Sequence, residues 1–300
     1  MKKLVLILLA AVAAFAGDYW NAETGASSMQ FLYLKPAPRA AALSNAGIAT
    51  PAGPSEVVGN PLAPLAATEP EIGWNQIVFS DKVGAKLLSL YYAMPYEHFV
   101  FSGGLEFLGY DDLEGRDEEG FETGEFSASA WAAQLGVGFR HAMFKWALSA
   151  RFASQTIDDE TAYGFLADGG VSVALDRHIT FATVVTNAGY VTEYEGNHRV
   201  PPTAVQSGVT GTFALNQIFD LAMSADLYRQ ADSDLMAMAG AEFMYRKMLV
   251  FRAGYAYRPD TDDGVSGGIA VRIDRVNVEY AYATDPTLDG NHHINIALRF

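Results

Sequence analysis

The last nine residues, His292 to Phe300, alternate between polar and apolar up to a terminal phenylalanine. Ile294, Ile296, Leu298 and Phe300 fall on one face, and His293, Asn295, Ala297 and Arg299 on the other. This is the period-2 pattern of a β-strand with one face in an apolar medium. At the end of a water-soluble chain such a strand leaves an open edge that invites aggregation. An outer-membrane barrel requires one, because its last strand must close the sheet against the first.

The same alternation recurs from about Glu71 onward. Phe99, Phe101, Leu105 and Phe107 alternate with Ser102, Gly104 and Glu106, and Phe144, Trp146, Leu148 and Phe152 with Lys145, Ser149 and Arg151. The count comes to about fourteen strands, an even number, as single-chain bacterial barrels have. Their links sort into two alternating classes. Pro95-Tyr96-Glu97, His141-Ala142-Met143, Asp176-Arg177-His178, Asn216-Gln217, Arg246-Lys247 and Asp274-Arg275 are tight. Between them lie longer links at 111–123, 156–161, 187–202, 229–234, 258–264 and 284–292. Short periplasmic turns alternating with longer outer loops predict an all-β, transmembrane antiparallel barrel over 71–300, with both termini on the short-turn side.

The faces agree. Lys145, Arg151, Asp226, Glu242, Arg252, Arg272 and Glu279 share one face with small residues. On the lipid face each charge would cost about 2–4 kcal/mol near the midplane, so these residues are expected to line the lumen. Tyr255, Tyr257, Tyr280 and Tyr282 sit near strand ends, where aromatic girdles form. A secreted β-sandwich or β-helix would show outward faces rich in Lys, Thr and Ser, which this chain lacks.

The N-terminal part has another texture. Met1-Lys2-Lys3, the apolar run Leu4 to Ala13 and Ala14-Phe15-Ala16 form a Sec signal peptide (1–16), cut near Ala16 to leave Gly17 first. No later segment is a continuous apolar run of the roughly 20 residues a spanning helix needs. Residues 17–70 are rich in Ala and Pro, with Pro36, Pro38, Pro51, Pro54, Pro61, Pro64 and Pro70, and lack sustained alternation. Prolines at this density exclude central strands and allow short helical turns, one of them over Arg39 to Ala46. The segment is expected to form a plug or periplasmic piece.

The formal charge of −15 becomes −17 without Lys2 and Lys3, which gives no basic footprint for nucleic acid. No cysteine is present, so there is no disulfide framework, thiolate metal site or lipoprotein anchor. The acidic clusters 111–119, 158–160 and 260–263 read as solvated loops. No Gly-x-Ser-x-Gly elbow or phosphate loop occurs, and the Asp260-to-Gly264 run lacks the calcium-loop spacing. His292 and His293 are neighbours on a strand, so their rings point to opposite faces and do not converge on a metal. The chain is therefore expected to be non-enzymatic, with no cofactor and no metal.

Three segments together resemble the PorV/PorQ family of type IX secretion proteins, which are similar to FadL-type outer-membrane barrels. The first runs from Met29-Gln30-Phe31-Leu32-Tyr33-Leu34 through Pro38-Arg39-Ala40-Ala41-Ala42-Leu43 to Ser44-Asn45, which stand where the family has two glycines. Asn60-Pro61-Leu62-Ala63 resembles the family's Asn-Pro-Ala-Leu. Phe107 to Phe126 resembles the PorQ branch in particular, and Val276 to Phe300 and Asn187-Ala188-Gly189 fit as well. The resemblance implies a scaffold or receptor in a secretion and surface-attachment machine. It marks Arg39, Asn60 and Pro61 as plug residues, while Phe300 is read as the barrel-assembly terminus. Implied partners are other secretion proteins, cargo C-terminal signal domains, outer-membrane lipid and the barrel-assembly machinery. The alternative is a FadL-like carrier of hydrophobic molecules, which needs an apolar lumen pocket and a break in the wall. A general porin ranks third, since a plug obstructs an open pore.

Overall fold

The structure, a computed structural model, describes residues 26–80, 84–110, 113–116, 121–192, 200–259, 263–284 and 290–300. The expected signal peptide and Gly17 lie outside these residues. The plug contains one α-helix, α1 (Pro38–Ala42), and 3-10 turns at Gln30–Tyr33, Pro54–Glu56 and Ala63–Ala66. Then follow β1 (Glu71–Val78), β2 (Ala85–Tyr96), β3 (Phe99–Tyr110), β4 (Leu113–Arg116), β5 (Glu122–Phe126), β6 (Ala128–His141), β7 (Phe144–Ile157) and β8 (Glu160–Ala174). The rest are β9 (Ile179–Val191), β10 (Ala204–Ala214), β11 (Phe219–Gln230), β12 (Met236–Tyr245), β13 (Leu249–Tyr257), β14 (Gly264–Ile273), β15 (Val276–Ala283) and β16 (Asn291–Arg299).

Among the described residues fourteen strands close one antiparallel barrel, while β4 and β5 pair separately as a hairpin within the link from β3 to β6. The terminal strand closes it: β16 pairs with β1 from Glu71↔Arg299 to Val78↔His292. Closure leaves no open sheet edge in the membrane, where an unpaired backbone group costs several kcal/mol. Beyond β16, the Phe300 N–H donates to Pro70 O at 3.1 Å.

The two faces sort as expected. Leu135 (76% exposed), Phe165 and Leu148 point to lipid, whereas Arg151, Asp226, Glu242, Arg252 and Glu279 are buried inside. Lys145 stands at the lumen rim beside plug residues Ala49 and Leu65. The short turns have local causes. Asp176 Oδ1 accepts the N–H groups of His178 and Ile179, and Asn216 Oδ1 those of Ile218 and Phe219. The His178 and Ile179 donors hold the Asp176 carboxyl below the usual carboxylate range.

Four expectations change. The link at 156–161 is tight, because β7 and β8 pair out to Ile157↔Glu160; Asp158, in the turn, has φ 53°, a conformation Asp tolerates better than most residues. The link expected at 187–202 starts later, because strand β9 runs through Asn187-Ala188-Gly189 to Val191. The helical turn expected over Arg39 to Ala46 stops at Ala42, since Ser44 (φ 50°) and Asn45 (φ 68°) turn left-handed. Phe300 lies on the short-turn side, and the N-terminus lies outside the described residues, but the first described stretch, around Ser27, lies at the opposite end. Ser27 bridges Val200 and its N–H donates to Asp232 Oδ2, both at long links. The plug thus descends the whole lumen before β1 begins.

Candidate functional site: the plug and its seat

A segment with so little regular structure leaves many backbone carbonyls and N–H groups unpaired, and inside a barrel each must find a partner. The wall supplies them. Arg140 Nη1 donates to Leu65 O and Ala67 O, at 3.2 and 2.7 Å. Asp226 accepts the N–H groups of Gly47 and Ile48, both at 3.1 Å. Gln206 Nε2 donates to Asn45 O at 2.7 Å and Gln134 Nε2 to Val57 O at 3.0 Å.

The centre of the seat is Arg39, on α1. Its guanidinium is 1% exposed and bridges plug to wall. Nη1 donates to Glu56 at 3.1 and 3.2 Å, and Nε to both oxygens of Glu242 at 3.1 Å. Nη2 completes the fork on Glu242 at 2.5 Å and reaches Thr50 O at 3.0 Å. Burial opposes the charge, yet Glu242 and Glu56 outweigh it and raise the Arg39 proton affinity. Glu242 also accepts from Arg252 Nε (2.9 Å), and Arg252 Nη1 donates to Glu279 at 2.6 Å. Five buried charged side chains thus form one chain: Glu56, Arg39, Glu242, Arg252, Glu279. Burial raises the Glu56 carboxyl even with Arg39 beside it.

Register explains how the wall makes room. Glu242 and Arg252 are direct partners on β12 and β13, and Arg252 faces Gly268 on β14. A Cβ on Gly254 would overlap the backbone of Leu43, and one on Gly268 would overlap Ala42. The glycines let α1 lie against the wall, which sets Arg39 over Glu242.

A second cluster gathers at Arg151. Nη2 donates to Val58 O and Gln134 Oε1 (both 2.6 Å) and to Asp168 Oδ2 (3.0 Å); Nη1 donates to Asn187 Oδ1 (2.8 Å). The β8–β9 register slips here, from Ala167↔Ala188 to Gly169↔Val185, so Asp168 faces both Thr186 and Asn187. This bulge aims Asn187 inward, where Nδ2 donates to the plug at Leu32 O (3.3 Å). The ladder resumes on both sides.

Of the residues singled out in the sequence, Arg39 joins the plug to the wall. Asn60 holds the plug to itself, with Nδ2 on Ile48 O at 3.2 Å and Oδ1 accepting from Leu62 N–H at 3.0 Å. Pro61 is buried in the turn that Asn60 caps. Phe300 lies apart from them at the short-turn rim, half exposed, its ring 6.5 Å from that of Tyr92. His293 is buried and its Nδ1 donates to Pro36 O, while the His292 ring packs on Tyr282 and pairs with the Tyr280 hydroxyl. Glu56 and Asn187 were not named as site residues. In the sequence Asn187 stands out only through the Asn187-Ala188-Gly189 resemblance, at the start of a long link. Among the described residues no group of three or more His, Asp or Glu side chains could hold a metal.

The cavities inside the wall are modest. One of about 20 Å³ lies between Lys35, Glu56, Asn60 and Gln206. A vestibule of about 330 Å³ opens at the long-link end, and one of about 120 Å³ beside Lys145 at the other. A larger apolar hollow, about 810 Å³, lies against the lipid-facing wall around Gly103, Leu105, Ala133 and Leu135.

No protein-family model matches the chain, and no curated protein does. Solved structures do. The Ralstonia pickettii toluene transporter TbuX superposes with a TM-score of 0.64 at 12% identity, over 88% of this chain and 98% of that one. The monoaromatic hydrocarbon channel CymD gives 0.63 at 12% identity, over 89% and 98%. A Pseudomonas putida toluene transporter TodX structure gives 0.59 at 12% identity, over 88% and 96%. The chain therefore has the fold of a plugged outer-membrane β-barrel.

Proposed function

We propose that this protein is a non-enzymatic outer-membrane barrel that works with its lumen closed, as a scaffold or receptor in a type IX-like secretion and surface-attachment machine. The observation that carries this reading is the position of Arg39. The residue at the heart of the PorV/PorQ resemblance is the one that ties the plug to Glu242 on the wall. A barrel sealed by a buried charge chain offers partners its turns and outer loops, not an open pore. On this reading residues 1–16 are removed as a Sec signal, and N-terminal sequencing of the mature protein should begin at Gly17.

A second reading, FadL-like passage of hydrophobic small molecules, has the fold likeness to TbuX and CymD in its favour, and those neighbours speak more for it than for the first. The lumen weighs the other way, since polar and charged side chains meet the plug along its length and the ladder at the β9 bulge resumes on both sides. One experiment separates them. Full-length tagged protein is isolated from its own outer membrane, and a deletion strain is scored for surface-anchored proteins and for uptake of fatty acids and aromatic hydrocarbons. Co-purified secretion components with loss of surface proteins support the scaffold. Defective uptake with an unchanged surface proteome overturns it in favour of the carrier.

A further inference from the structure

The vestibule at the long-link end lies between the plug and strands β1, β13, β14, β15 and β16. At about 330 Å³ it is at the small end of ligand pockets, with room for a hexose-sized molecule. Its chemistry is unlike the rest of the chain. Acidic residues outnumber Lys and Arg by 35 to 20, yet Lys35 and Arg258 line this cavity and no described carboxylate does.

Lys35 stands where the vestibule meets the smaller cavity behind it. Its ammonium donates to Gln206 Oε1 at 2.7 Å and lies 4.9 Å from the centre of the Tyr228 ring. Among the described residues no carboxylate forms an ion pair with it. Its direct partners are a neutral amide and an aromatic face, while the carboxylates of Asp226 and Glu56 act on it without forming an ion pair. A second sign comes from Asn291, whose Oδ1 is enclosed at the edge of the vestibule with no hydrogen-bond partner among the described residues. An enclosed acceptor of this kind calls for a donor, such as a hydroxyl.

We propose that the vestibule binds a small, soluble anion that also carries hydroxyl groups, a sugar acid or sugar phosphate. The anionic group pairs with Lys35 and Arg258, and a hydroxyl donates to Asn291. The ladders from β13 through β16 to β1 are continuous here, so a headgroup anchored in the membrane outside cannot enter through the wall. By the rule of short periplasmic turns the opening faces the cell exterior.

The test is calorimetric titration of the full-length protein in detergent with D-glucuronate, inorganic phosphate and neutral glucose. Saturable binding of glucuronate, weaker binding of phosphate and none of glucose is expected. Lys35→Met and Arg258→Gln should each weaken glucuronate by about tenfold or more. Arg258 lies at the rim, so its variant keeps the plug seated, and retained heat-modifiability on gels confirms folding of both. Binding of glucose as tight as glucuronate, no binding of either anion, or glucuronate affinity unchanged in both folded variants would overturn the proposal.

Discussion

Arg39 and Glu242 lie 203 positions apart in sequence, yet the guanidinium of the first grips both oxygens of the second. Each is also held from behind, Arg39 by Glu56 and Glu242 by Arg252. Removing one member of a buried ion pair leaves the other charge uncompensated, which costs about 3–5 kcal/mol, while removing both costs less. Arg39→Met and Glu242→Gln should each lower the unfolding midpoint in detergent, and the double variant should lose less than the sum. Strict additivity would mean that the two residues are not coupled.

How α1 reaches the wall gives a second expectation. Gly254→Val places side-chain atoms where Leu43 now lies, so the helix cannot sit down. The barrel ladder does not depend on that contact. The variant should stay heat-modifiable but conduct ions in planar bilayers well above the wild type. Wild-type conductance would show that the plug is held elsewhere, for example through Arg151 or Asp226.

The terminal phenylalanine concerns assembly. Its ring packs near Tyr92 and its N–H closes onto Pro70 O, where the last strand meets the first. Deleting Phe300 should reduce the heat-modifiable fraction in outer membranes several-fold. Protein that does fold should melt within about 1 kcal/mol of wild type, because the half-exposed ring adds little to the finished barrel. An unchanged folded yield would refute the assembly role.

The barrel was legible because its signal is local. A two-residue period runs along most of the barrel strands, and the charges of the lumen face sort by parity alone, as Arg151, Glu242, Arg252 and Glu279 did. The seat was only half legible, because parity says which way a charge points but not which neighbour it meets. The pairing of Glu242 with Arg252, and the passage of Arg252 over Gly268 to Glu279, need the register of four strands. The bulge at Asn187 left no trace in the alternation, because a slip of one residue resembles the end of a strand. Ser44 and Asn45 carry the clearest lesson. They stand where the PorV/PorQ pattern that the chain resembles has two glycines, and both adopt positive φ, the conformation that favours glycine. Ser44 is held there by Ser266, whose Oγ accepts the Ser44 N–H at 3.0 Å and lies 2.7 Å from its hydroxyl.

Asn187 itself makes a fourth mutational expectation. Its φ of 58° suits Asn, and its side chain links Arg151 to the plug carbonyl of Leu32. Asn187→Ala loses both hydrogen bonds and keeps the backbone strain, for about 2–4 kcal/mol in unfolding free energy. Asn187→Gly loses the same bonds but relieves the strain, so it should fall between wild type and alanine when the three are compared by urea titration in detergent. A glycine variant less stable than alanine would contradict the backbone argument.

The last expectation is a pH dependence at Lys35. Burial pushes its ammonium from the ordinary lysine value of 10.5 down to about 8, although the residue as a whole is only partly buried. Asp226 on β11 and Glu56 on the plug pull the other way, and Tyr228 and Gln206 face it without charge at neutral pH. Between about pH 8 and 10.5 the folded protein therefore holds fewer protons at this site than the unfolded chain does. Where the unfolded state binds more protons, stability rises with pH. The Lys35 contribution should thus be unfavourable below pH 8 and fade as pH climbs toward 10.5. Comparing unfolding midpoints of wild type and Lys35→Met across this range isolates it from other groups. The variant should be the more stable at pH 7, with the gap closing by pH 10.5. The same deprotonation should release glucuronate from the vestibule as pH passes about 8, with Arg258 alone retaining the anion weakly.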